Sequence, residues 1–209
     1  MYKRLSIFVF FCLLIFTVFG TVIADSESNF QDLLTQLREE GRIPETSGSV
    51  IKFGEFSDEL ASIGNYSWFP ITEADNFVLS AKISWESGND HPNSNQAGCG
   101  FVFGADPVKN YHLMASIRMD GTVYVSGWNQ TGNISYGNNY YGLYSVQGSA
   151  DFTLVVNDMD VYVYIDGKPI MDRHGIYKYG ISVGPAVLSG SNWKFGNRCT
   201  WTDTYLYTF

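Results

Sequence analysis

From Pro44 onward the chain reads in steps of two. Phe77, Leu79, Ala81, Ile83 and Trp85 alternate with Val78, Ser80, Lys82, Ser84 and Glu86. Successive side chains of a strand point to opposite faces, so this run predicts a strand with one face buried and the other largely wet. Cys99, Phe101 and Phe103 repeat the pattern against Gly100 and Val102, and Tyr111, Leu113, Ala115 and Ile117 repeat it against His112, Met114, Ser116 and Arg118. Asp120-Gly121 then turns the chain. Phe152, Leu154 and Val156 lead to a turn over 157–160, and Val161, Val163 and Ile165 run into a second hairpin signal, Asp166-Gly167. Further strands are predicted over 49–53, 66–69, 122–126, 180–188 and 200–209. Ten to twelve half-buried strands joined by turns predict an all-β fold, a two-sheet antiparallel jelly-roll sandwich.

Before Pro44 the period is different. Phe30, Leu33, Leu34 and Leu37 fall at i, i+3, i+4 and i+7, the spacing of one helix face. Ser28 and Gln31 are spaced as a capping box, while Gly41 and Pro44 supply the stop. One short N-terminal helix is therefore expected. Nothing of helical length interrupts the later strands, which excludes a parallel α/β sheet and its phosphate-binding glycine loop. Further upstream, Lys3 and Arg4 precede an almost wholly apolar run from Leu5 to Ile23, closed by Val22-Ile23-Ala24 and then by polar Asp25-Ser26-Glu27. This is the pattern of a secretory signal peptide cut after Ala24. The alternative is an uncleaved anchor, in which case contact with a membrane would run through this segment alone. The resulting organisation is a signal peptide over 1–24, helix and linker over 25–48, and the sandwich over 49–209.

Composition narrows the partners. The 209 residues carry 13 basic and 21 acidic side chains, a formal charge of −8; loss of Lys3 and Arg4 would leave 11 basic residues against 21, or −10. Such a chain repels polyphosphates, so nucleic acid is not an expected partner. Removal of the signal also removes Cys12 and leaves Cys99 and Cys199, a pair that an oxidising compartment would join into a disulfide; two buried thiols are the alternative.

Several stretches carry a resemblance. These are Asp75-Asn76-Phe77-Val78-Leu79-Ser80-Ala81 through Trp85-Glu86-Ser87, Gly98-Cys99-Gly100-Phe101-Val102-Phe103, Asn110-Tyr111-His112-Leu113, Val163-Tyr164-Ile165-Asp166-Gly167-Lys168, and Arg198-Cys199-Thr200-Trp201-Thr202-Asp203. Together they resemble the concanavalin A-like lectin/glucanase superfamily, and within it bacterial secreted modules of the laminin-G-like and 3-keto-disaccharide-hydrolase-like groups. The resemblance covers 49–209. It implies a sandwich fold, a bacterial exported protein and either a carbohydrate-recognition or a glycoside-cleaving role.

The chemistry-bearing residues favour recognition. Retaining glucanases of that superfamily place acidic residues two apart on one strand, so that paired carboxylates meet the scissile bond, and no Glu-x-Asp-x-Glu strand exists here. Glu55, Asp58 and Glu59 have the wrong spacing, and Asp158 with Asp160 belongs to a turn. No catalytic residue is therefore assigned. None of the three histidines, His91, His112 and His174, has a second at ligand spacing, which argues against zinc. Glu86, Asn89 and Asp90, in a loop that continues to Asn93 and Asn95, present the hard oxygens that calcium prefers, or else an Asx-rich loop serving its own backbone. No other cofactor is implied. If the valines of their strands face the core, Tyr124, Trp128, Tyr162 and Tyr164 face outward as platforms for the C–H faces of sugar rings, with His112 and Arg118 as polar neighbours. The competing reading makes the tyrosines sheet cover, or places them beneath the Phe30 to Leu37 helix. The expected role is a secreted, non-catalytic module for carbohydrate or another cell-surface polymer. A 3-keto-disaccharide-type hydrolase and an adhesive protein-binding domain are the alternatives.

Overall fold

The computed structural model describes residues 26–142 and 144–209; the expected signal segment, with Cys12, lies outside them. The chain divides into two compact units, one ending at Gly41 and one from Arg42 to Phe209. In the first, residues 26–39 form a helix, α1. It stops where expected: Gly41 takes a left-handed φ of +68° and donates to the Arg38 carbonyl at 2.9 Å, a conformation that costs glycine little. Its start differs from the expectation. Residue 26 is already helical, so Ser28 lies inside the first turn and does not cap it.

The second unit is built from strands. In chain order these are β1 (Ser49–Lys52), β2 (Phe56–Leu60), β3 (Asn65–Trp68), β4 (Thr72–Glu73), β5 (Phe77–Ser87), β6 (Gly98–Asp106) and β7 (Tyr111–Arg118). They continue with β8 (Thr122–Asn129), β9 (Gly132–Tyr140), β10 (Gln147–Asn157), β11 (Asp160–Ile165), β12 (Lys168–Arg173), β13 (Ser182–Ser189) and β14 (Asn197–Thr208). One antiparallel sheet has the order β1-β14-β5-β10-β11-β12, with β2 also on β14; the other has the order β3-β13-β6-β7-β8-β9, with β4 also on β13. The two-sheet antiparallel sandwich read from the alternation is the observed architecture. The fourteen strands among the described residues exceed the ten to twelve expected, because β2, β4, β9 and β12 are short, polar or edge strands with little alternation to read.

The alternating apolar positions meet between the sheets. Phe101 of the second sheet lies against Phe152 and Trp201 of the first, with ring centroids 6.0 and 6.4 Å apart, and Phe77, Leu79, Ile83, Leu113, Ile117 and Val163 are buried around them. Aromatics that bury this much apolar surface dominate a core's energetics. Cys99 and Cys199 are bonded, with Cα atoms 5.9 Å apart across 100 residues of sequence. The bond joins β6 to β14 and so ties one sheet to the other. Among the described residues no helix is long and apolar enough to cross a membrane.

Candidate functional site

The second sheet carries an open groove on the face turned away from the core. Register fixes its walls. His112 of β7 stands opposite Trp128 of β8, Met114 opposite Ser126, and Ser116 opposite Tyr124. On the other side of β7, Ser116 faces Gly100 and Arg118 faces Gly98. Those two glycines are required: a Cβ on Gly98 would lie 2.2 Å from the Ile117 carbonyl oxygen, and one on Gly100 2.1 Å from that of Ala115. Since no side chain rises there, the sheet is left bare between the Leu188 side and the Arg118 side. The space holds about 350 Å³ and is lined by Tyr66, Asn95, Gln96, His112, Arg118 and Tyr124, with Trp128 and Asn133 at the far end.

One wall of the groove is apolar and closed. Tyr66 and Trp68 of β3 cover Val102, Met114, Ala186 and Leu188, and both rings reach His112, with centroids 5.3 and 5.9 Å away. His112 is thereby 1% exposed, and this desolvation pushes its pKa below the usual histidine value, against an opposing hydrogen bond to the Asn110 backbone. The ring is held neutral. Along β7 from it, the Arg118 guanidinium stacks 4.0 Å over the Tyr124 ring and donates through Nη1 to the Asn95 carbonyl at 2.5 Å. Beneath this face three polar atoms, His112 Nδ1, Ser116 Oγ and Arg118 Nε, are buried without a well-formed hydrogen bond.

Four of the six sugar-contact candidates, Tyr124, Trp128, His112 and Arg118, thus line one groove. Tyr162 and Tyr164 do not. They lie on β11 in the other sheet, and although they point away from the core as their alternation with Val161 and Val163 requires, they are 6% and 1% exposed. The expectation of two open platforms is corrected by what packs on them. The Arg42 guanidinium lies 4.3 Å over the Tyr162 ring, the His174 ring meets Tyr162 edge-on at 6.2 Å, and Tyr164 sits between Thr153 of β10 and Pro169 of β12. His174 itself bridges two carboxylates, Nδ1 to Asp160 at 2.8 Å and Nε2 to Asp172 at 3.0 Å. Both raise its pKa, Asp160 the more. Asp172 also pairs with Arg42 at 2.9 Å.

Several of the remaining candidates have partners within the fold. Glu59 pairs with Arg198 at 2.9 Å, which also lies 3.9 Å from Glu86; Asp58 accepts from Ser67 Oγ at 3.0 Å. Asp158 takes a left-handed φ of 54° in its turn. In the loop read as a calcium candidate, Asn89 Oδ1 accepts the His91 N–H at 2.9 Å, and Asn93 bonds Gln96 at 3.1 Å. Sequence reasoning missed Tyr66, Asn95, Gln96 and Asn133 as groove residues. They come from β3, a loop and β9, and no local pattern announces which long-range neighbours they meet.

The fold is similar to the carbohydrate-binding module CBM66 from Bacillus subtilis, at 10% identity and a TM-score of 0.56, covering 74% of this chain and 92% of that one. It is similar to the Aspergillus kawachii β-fructofuranosidase, at 16% identity and a TM-score of 0.52, covering 78% of this chain and 27% of that one. The A. japonicus fructosyltransferase gives 16% identity and a TM-score of 0.50 over 78% of this chain. Of the two fungal enzymes the chain spans only about a quarter, 27% and 26%. At such identities the likeness establishes the fold alone, a two-sheet antiparallel β-sandwich. No protein-family model and no curated protein matches the sequence.

Proposed function

We propose that the protein is an exported, non-catalytic module that binds a carbohydrate polymer in the groove of its second sheet. The observation that carries this reading is the convergence of an exposed Trp128, 40% accessible, with Tyr124, Arg118, Gln96 and Asn133 around one open groove. Sugars offer apolar C–H faces and ring hydroxyls together, and a site for them needs stacking surfaces beside hydrogen-bonding groups. The first of the similar structures is itself a carbohydrate-binding module, and its fold is shared by this chain. Binding without cleavage is supported by the lining: no Asp or Glu is among the residues that line the groove, and glycoside hydrolysis ordinarily requires two carboxylates flanking the bond.

The test is a glycan array probed with the folded protein, followed by affinity electrophoresis of Trp128→Ala in the polymer that scores. Retention by the native protein and its loss in the variant, with an unchanged melting temperature, is the expected result. Product release from a glycoside, with no retention on any polymer, would instead establish the hydrolase alternative.

A further inference from the structure

The groove is electrically unlike the rest of the molecule. The whole chain carries −8, yet the groove lining includes Arg118 and no carboxylate. Arg118 is also underused. Of the five N–H donors of a guanidinium, Nη1 goes to the Asn95 carbonyl, one face goes to Tyr124, and Nε has no partner. Among the described residues no carboxylate pairs with it at salt-bridge distance. Asp120 acts on its charge through space, but an oxygen of that carboxylate is occupied by the Thr122 N–H and hydroxyl at 3.0 and 2.6 Å. A partly buried cation without a counterion is costly to hold, and an incoming oxyanion would meet it with charge-assisted hydrogen bonds.

The groove is also long. The Arg118 guanidinium lies over Tyr124, and Tyr124 and Trp128 are four residues apart on β8, roughly 13 Å at the ~3.3 Å rise of a strand. One sugar ring cannot touch both ends. We infer that the groove selects an acidic oligosaccharide, with a uronate carboxylate or sulfate ester on Arg118 and another ring of the same chain stacked on Trp128. This inference rests on the carbohydrate reading and sharpens it to a ligand class. The acidic surface does not forbid it, because charges farther away than the Debye length of about 8 Å at physiological salt are largely screened, whereas the contact at Arg118 is not.

The experiment uses matched ligand pairs on the native protein: oligouronates against their carboxyl-reduced forms, and sulfated chains against the same chains desulfated. The expected result is at least about tenfold tighter binding of one acidic member, as a hydrogen bond to a charged group contributes, weakening as salt is raised. The pair that discriminates identifies carboxylate or sulfate. Arg118→Gln should abolish the preference while leaving weaker neutral-chain binding, and Arg118→Lys should keep part of it. The matched pairs decide the matter even if removal of the stacked guanidinium unfolds the Gln variant. Equal binding of acidic and neutral members overturns this inference and leaves the carbohydrate reading standing. Binding of no glycan overturns both. Displacement by inorganic sulfate at the same concentration as the acidic oligosaccharide would reduce the site to an anion pocket, and overturn the inference too.

Discussion

Two strands of this protein are written alike and end differently. In β8, Tyr124 and Trp128 share one face, with Val123 and Val125 on the other; in β11, Tyr162 and Tyr164 alternate with Val161, Val163 and Ile165. In both the aliphatic residues go to the core and the aromatics to the outer face. On β8 that face borders an open groove, with Arg118 over Tyr124 but Trp128 exposed, whereas on β11 it is covered throughout, Tyr162 by Arg42 and His174, and Tyr164 is nearly inaccessible. A period of two decides which way a side chain points and says nothing about what arrives from elsewhere in the chain to cover it. An open aromatic face and a covered one are therefore the same local sequence, told apart by what packs on them, here Arg42 from far upstream and His174 from just beyond the next strand.

The comparison can be broken experimentally, starting where the effect is largest. Tyr164→Ala should destabilise the protein by about 3–5 kcal/mol, the range for emptying a buried aromatic site, measured by urea denaturation; the folded fraction should bind glycan as the native protein does. If Tyr164→Ala instead spares stability and weakens binding, the two faces have been assigned the wrong way round. Replacing Cys99 and Cys199 together by serine should cost about 2–5 kcal/mol, and because that bond ties both sheets, the contrast between the faces should survive it. Trp128→Ala should leave stability within about 0.5 kcal/mol yet lose about 2 kcal/mol of binding, roughly thirtyfold, by titration calorimetry.

The smallest effects concern two histidines of opposite sign. His112, held neutral by burial, titrates below the ordinary value near 6.5 that it has in the unfolded chain. Between those values the unfolded chain binds more protons, so stability falls as pH drops below about 6.5. His174, raised by Asp160 and Asp172, does the reverse: its contribution is complete below about 6.5 and is lost as pH rises through its raised folded value. Melting temperatures from about pH 5 to 8 should therefore show a shallower acid-side loss in His112→Gln and a smaller decline on the alkaline side in His174→Gln. Parallel curves for native and variant proteins would sink this pairing.

The core was readable because Phe77 through Trp85, Cys99 through Phe103 and Val161 through Ile165 alternate without interruption, and two apolar faces have one economical arrangement, back to back. The missed strand β9 shows the limit. Its sequence, Gly-Asn-Ile-Ser-Tyr-Gly-Asn-Asn-Tyr, turns only Ile134 and Tyr136 inward and is otherwise polar or glycine, as suits a largely exposed edge strand, so its pairing with β8 comes from tertiary context. The candidate site divides in the same way. His112, Arg118, Tyr124 and Trp128 follow from counting outward positions on two neighbouring strands, whereas Tyr66 reaches the groove from the sheet's far edge, across β13 and β6, where Gly98 and Gly100 keep part of the surface low.

The pairing of β1 with β14 has a consequence for how this sandwich can be combined with other chains. Ser49 stands opposite Thr208, and their hydroxyl oxygens are 2.8 Å apart, so the two ends of the 49–208 fold emerge side by side at one edge of the first sheet. Neighbouring termini are the geometry that tolerates insertion into a surface loop of a host protein, or circular permutation through a few linking residues. The groove belongs to the other sheet, so a graft made at this edge leaves the groove face clear of the host's chain.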